Sequence, residues 1–282
     1  MSGPELSRRA FLAASGGALL LAACSSSGGS NGVSLNDSYN AARVSSDLYL
    51  SETPQRFAFA LTKGQSFGSG PPATMTLKGP KTSFTPSEVV LQAQGLPKGR
   101  GIYTADIPFT EAGIWDATIT VKGQKMRLPF EVTKKSVVPV VGDMAPTDAS
   151  PTVAQPLGVD PICTRSQGVC SLHTVSLADV IGKGKPVAAL FATPARCQSR
   201  YCGPVLDLML QEVPAFADKA TIVHVEIYKA PEGADLSPTV NAWGLESEPW
   251  LFGIDPAGKI ISRLDGAFDR GEIRNLLTAL TA

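Results

Sequence analysis

The stretch from Pro186 to Pro204, PVAALFATPARCQSRYCGP, constrains this chain most. It opens on an apolar run, Val187 to Ala192, of strand length, with the turn former Pro194 soon after. Cys197 and Cys202 come next. A helix-like run then begins at Gly203-Pro204, with Val205, Leu206, Leu208, Met209 and Val213 as its apolar positions. Proline suits a first helical turn, where its missing N–H costs no bond. Two sulfurs are therefore expected between the end of a strand and the start of a helix. The partial positive charge and free N–H groups of a helix N-terminus favour a thiolate, and Arg196 and Arg200 push the same way.

The 282 residues suit two ordinary domains, and an apolar content of 43% is ample for packed cores. Twenty-five basic and 25 acidic residues cancel, so nothing in the charge points to nucleic acid.

Ser7-Arg8-Arg9-Ala10-Phe11-Leu12 resembles the twin-arginine export motif, and Leu21-Ala22-Ala23-Cys24 resembles a bacterial lipobox. The apolar run between them, Ala10 to Ala23, is short of the roughly 20 residues that a membrane span needs. The resemblance implies a signal peptide over 1–23, a lipid on Cys24 and a mature protein anchored outside the cytoplasmic membrane. Residues 24–35, rich in serine and glycine, read as a flexible tether.

Residues 36–134 read as all-β. Strands are expected over Arg56–Thr62, Ala73–Lys78, Val89–Gln94, Gly101–Pro108, Ile114–Val121 and Lys125–Val132, with a weaker one at Val44–Leu50. Strict alternation in Ile114–Val121 puts Trp115, Ala117, Ile119 and Val121 on one face. Short strands punctuated by turn residues suggest an immunoglobulin-like β-sandwich. It holds no cluster of cysteine, histidine or carboxylate, so it reads as a spacer or docking module.

Residues 135–160 are proline-rich and form a linker and the opening of a second domain, placed at 161–282. Here the sequence resembles the thioredoxin-like superfamily, of the redoxin or membrane-anchored type. The residues that carry the resemblance are Val141-Gly142-Asp143-Met144-Ala145-Pro146, the segment Val175–Val180 with Gly184-Lys185-Pro186, the Cys202-Gly203-Pro204 phrase, and Pro249 at the start of a late strand. The family pattern is Cys-Gly-Pro-Cys. This chain has Val205 at the second cysteine's position and offers Cys197 upstream instead. Ser176 is a candidate cap for a short helix, Thr221–Tyr228 and Lys259–Leu264 are expected strands, and Asp269 is expected to cap a last helix to Leu280.

The resemblance implies an α/β thioredoxin-like fold and thiol–disulfide exchange on extracytoplasmic protein thiols or disulfides, without a cofactor. Cys202 then occupies the attacking position and Cys197 resolves, with the roles reversed if Cys197 is the more exposed sulfur. Gly203, Pro204 and Pro249 would border the substrate groove, with Pro249 the family's cis-proline. With Cys24 lipidated, four cysteines remain in an oxidising compartment, and sequence proximity favours Cys163/Cys170 as a structural disulfide beside Cys197/Cys202. Two alternatives differ in class. One is copper binding of the kind seen in Sco-type proteins, through Cys197, Cys202 and His173, with His224 the only other histidine. The other is a redox-inactive binding module whose bridges are all structural.

Overall fold

The computed structural model describes residues 39–63, 66–68, 70–196, 202–232 and 234–282. The signal segment, Cys24, the tether, Arg200 and Cys197 lie outside the described residues.

The N-terminal half is built from β1 (Asn40–Arg43), β2 (Ser51–Lys63), β3 (Ser66–Gly68), β4 (Ala73–Lys78), β5 (Ser83–Phe84), β6 (Val90–Gln92), β7 (Ile102–Phe109), β8 (Gly113–Val121) and β9 (Gln124–Val132). They form two sheets, ordered β1-β2-β7-β6, with β3 on β2, and β5-β4-β8-β9. Every pairing is antiparallel. One core is shared between the sheets: Phe57 and Phe109 of the first pack against Phe130 and Trp115 of the second. The expected inward face of β8 is buried at Trp115, Ala117, Ile119 and Val121.

One expectation fails here. Residues 44–50 form no strand, and the first strand lies earlier, at β1. The reason is their polarity. Ser45, Ser46 and Asp47 turn to side-chain bonding: Ser45 Oγ donates to the Arg56 carbonyl, Ser46 Oγ donates to Asp265, and Asp47 accepts from Arg263 at 2.8 Å.

The C-terminal half contains α1 (Leu177–Val180), β10 (Val187–Phe191), α2 (Cys202–Phe216), β11 (Thr221–Val225), α3 (Pro238–Ala242), β12 (Trp250–Ile254), β13 (Ile260–Asp265) and α4 (Arg270–Leu280). Its sheet runs β11-β10-β12-β13, with β10 parallel to β11 and antiparallel to β12, and β12 antiparallel to β13. β10 and β12 are buried at every position, as central strands covered on both faces must be. One face packs α2 and α4 through Leu206, Met209, Ile273 and Leu277. The other packs Phe191 and Phe252 against Trp243. α4 opens with the capping box that Asp269 and Glu272 encode. At α1 the cap differs from expectation. Ser176 stands at the N-cap but makes no side-chain cap bond; Ser150 Oγ accepts from Leu177 N instead, and Ser176 Oγ accepts from Ser150 N.

The proline-rich segment is no free linker. Gly142 N donates to the Ile260 carbonyl and Ala145 N to the Gly258 carbonyl, laying the segment along β13. The two halves meet at the start of α4. Arg56 of β2 donates to Glu272 at 2.6 Å and to the Asp265 and Ala267 carbonyls, while Gln94 N donates to Asp269. All described residues fall in one compact unit, Leu35–Ala282. Among them no helix is long and apolar enough to cross a membrane.

Candidate functional site

The sulfurs gather at one end of the α/β half. β10 ends at Phe191, and its continuation stays on the sheet through the bond from Ala192 N to the Val225 carbonyl. The chain then turns at Thr193–Arg196, and α2 starts on Cys202 itself. Cys202 is fully enclosed, at 0% exposure, among Val205, Leu206 and the apolar core. Gly203 and Pro204 are half-buried, and among the described residues a Cβ at Gly203 would meet nothing within 4 Å. The Glu248–Pro249 peptide is cis, and the Pro249 carbonyl accepts from Gly266 N at 3.0 Å. Pro249 is buried directly before β12.

These features coincide: a parallel β–α–β unit, two antiparallel strands and a closing helix, a cysteine at the first helix's N-terminus, and a cis-proline opening the next-to-last strand. The C-terminal half has a thioredoxin-like fold. Among solved structures, a Chlorobium tepidum protein assigned as thiol:disulfide interchange protein DsbE is similar at 20% identity. The match covers 51% of this chain and 99% of that one, with a TM-score of 0.35. A thioredoxin-like superfamily protein, SPOA0173, is similar at 19% identity over 42% of this chain and 94% of its own, with a TM-score of 0.29. Likeness at this level carries no assignment of activity. No family model and no curated protein matches.

A second group of side chains lies in the thioredoxin-like domain. Cys163, Cys170 and His173 come from the loop that precedes α1, and His224 from the middle of β11. All four are buried, and their Sγ and ring nitrogen atoms lie within 4.8 Å of one another. The Nδ1 of His224 is the hub, 3.5 Å from Cys170 Sγ, 4.0 Å from Cys163 Sγ and 2.9 Å from His173 Nε2. Its other nitrogen, Nε2, lies 3.0 Å from the Ala192 carbonyl. A carbonyl only accepts, so Nε2 carries the proton and Nδ1 presents a lone pair to the cluster. His173 Nε2 then donates to it, and His173 Nδ1 is buried without a partner among the described residues.

Backbone bonds hold this arrangement. His224 N donates to the Leu172 carbonyl and Val153 N to the His173 carbonyl. Thr164 N donates to Glu226 at 2.9 Å, and Thr164 Oγ1 accepts from Ala195 N on the turn that leads towards Cys202. Arg165 pairs with Asp207 of α2. The loop is thus tied to β11, to α2 and to the turn after β10.

The electrostatics follow from burial and mutual contact. The Cys170 thiol stabilises a thiolate on Cys163, whose pKa is lowered despite burial. Cys170 is raised in turn by sharing that proton and by burial. Burial also lowers His173 and raises Glu226.

Set against the sequence reading, Cys163 and Cys170 are neighbours as expected, but in the structure both are thiols rather than a disulfide. His173 faces Cys163, Cys170 and His224, the group that its proposed copper role with Cys197 and Cys202 did not include. The local signal for this cluster was Cys163-x6-Cys170-x2-His173. His224 was left out of the ligand set because a lone histidine in a β-branched strand reads as core, and only the bond from His224 N to the Leu172 carbonyl brings it in.

Proposed function

We propose that this protein is an exported thiol–disulfide oxidoreductase, anchored to the membrane through lipid on Cys24, with Cys197 as the attacking sulfur and Cys202 as the resolving one. The observation that carries the reading is the position of Cys202: a cysteine at the first turn of α2, opposite the end of β10, with no exposed surface. A helix N-terminus favours its thiolate, whereas its enclosure keeps a folded client from reaching it first. That enclosure supports the reversed order of roles. In this reading Cys197, five residues upstream in sequence, takes the first contact.

In the reductive direction, the Cys197 thiolate attacks a client disulfide. A Cys197–client bond forms, the client S–S bond breaks, and one client thiolate leaves. The Cys202 thiolate then attacks Cys197 sulfur, forming Cys197–Cys202 and releasing the second client thiolate. Two electrons pass from the pair to the client, and oxidation runs the same steps backwards. Gly203, Pro204 and Pro249 border the groove that we assign to the client chain. The β half we read as an immunoglobulin-like module that spaces or docks this domain beyond the tether.

Replacing Cys202 by serine tests the assignment. The variant should keep the fold, lose exchange turnover on a small disulfide-bonded protein, and accumulate a mixed disulfide through Cys197. Full turnover by Cys202→Ser, or adducts that do not map to Cys197, would remove the proposed pair.

A further inference from the structure

We propose that Cys163, Cys170, His173 and His224 form a tetrahedral centre for one zinc(II) ion, separate from the exchange pair. Zinc binds thiolate at about 2.3 Å and imidazole at about 2.0–2.1 Å, which sets tetrahedral ligand atoms about 3.3–3.8 Å apart. The separations from His224 Nδ1, 2.9, 3.5 and 4.0 Å, straddle those edges. The widest separation in the group, 4.8 Å, closes with a movement of about 1 Å. The ligand set comes half from cysteine and half from histidine, all from protein, with no position left to solvent. That is the make-up of a structural rather than a catalytic zinc site.

The surroundings are those of a prepared site. The bond between His224 Nε2 and the Ala192 carbonyl fixes the tautomer that aims the Nδ1 lone pair inwards, as the outer bond of a metal-bound histidine does. The flanking backbone bonds at Leu172 and His173 hold both rings in place before any ion arrives. When zinc binds, the remaining thiol protons leave, and His173 shifts its proton from Nε2 to Nδ1. That nitrogen has no partner among the described residues, so the shift breaks no bond to Nδ1.

Charge selects the ion. Two thiolates and two neutral imidazoles carry −2, which zinc(II) cancels. Copper(I) suits the same soft ligands but leaves −1 inside a buried cluster, and an uncompensated buried charge is costly. The centre would clamp the 163–173 loop to β11, beside the turn that leads to Cys202. It would also withdraw two cysteines from disulfide chemistry in an oxidising compartment, leaving exchange to the other pair.

The test is a metal titration of the full chain, purified under reductant and stripped with chelator. Zinc(II) chloride is added and bound metal is counted; cobalt(II) is then used as a spectroscopic substitute. The expected result is one zinc per chain and a thiolate-to-cobalt absorption band. Cys163→Ser and His224→Gln should each lose stoichiometric binding, while Cys202→Ser retains it. Should those ligand variants fail to fold, the wild-type chain still decides: zinc should block alkylation of Cys163 and Cys170, and chelator should restore it. Four results overturn the proposal: no zinc bound by the reduced chain, binding that survives either ligand substitution, binding of copper(I) but not zinc(II), or a Cys163–Cys170 disulfide in chain purified without reductant. None of these depends on exchange activity.

Discussion

Replacing Arg56 by alanine is expected to cost about 3–5 kcal/mol of stability, the penalty for leaving the partner of a buried ion pair alone. Arg56 and Glu272 are 12% and 10% exposed, and they meet through two guanidinium bonds of 2.6 and 3.1 Å. Two further donors are used on the Asp265 and Ala267 carbonyls. Burial would lower the Arg56 pKa, but the charge and hydrogen bond of Glu272 outweigh it and raise it. With alanine at this position, Glu272 keeps the Asp269 amide but loses its counter-charge, and two carbonyls lose their donor. The site also joins β2 to α4, so the loss falls where the two halves of the chain meet. Calorimetry on Arg56→Ala should show the lower melting temperature together with separation into two transitions. The double variant Arg56→Met with Glu272→Leu should recover only part of the loss, because it removes the uncompensated charge but leaves the Asp265 and Ala267 carbonyls and the Asp269 amide without these partners. A single-variant loss below about 1 kcal/mol would mean that the pair behaves as a surface pair.

The second large effect is expected at Phe191. Its ring is fully buried at the end of β10, 4.9 Å from Trp243 and 5.9 Å edge-on to Phe252. Phe191→Ala removes a whole aromatic side chain from a packed interior, and such changes cost about 3–5 kcal/mol through lost burial and the cavity left behind. β10 is the strand from which the turn towards Cys202 departs, so this loss should reach the site as well. Thiol alkylation of Cys202 should become faster in Phe191→Ala under native conditions, while chemical unfolding gives the stability change. Phe191→Leu, which fills most of the space, should cost less than half as much. Equal losses for both variants would show that ring contacts rather than volume set the stability here.

The alternating strands were legible in the sequence because period-two patterning survives wherever one sheet face is buried: Ala73–Lys78 and Ile114–Val121 read correctly nearly to the residue. The last helix was legible from the Asp269 cap and the spacing of Ile273, Leu277 and Leu280. Residues 44–50 misled because Val44, Leu48 and Leu50 suggest a strand, while Ser46 and Asp47 have partners, Asp265 and Arg263, that lie over 200 positions away. Distance in sequence also hid the cluster at His224. The enclosure of Cys202 could not be read locally either, since it depends on α4 and on the Cys163–Cys170 loop closing the same core.

The measurement closest to the central claim is a redox titration of the full chain, with thiols trapped and mapped by mass spectrometry across glutathione buffers. We predict that Cys197 and Cys202 open and close together, at a potential within the range of known exchange proteins, about −120 to −270 mV. Cys163 and Cys170 should be recovered as thiols at every step. A Cys197–Cys202 bridge that resists reduction below about −300 mV would be structural, and the protein would then be a binding module on a thioredoxin-like frame.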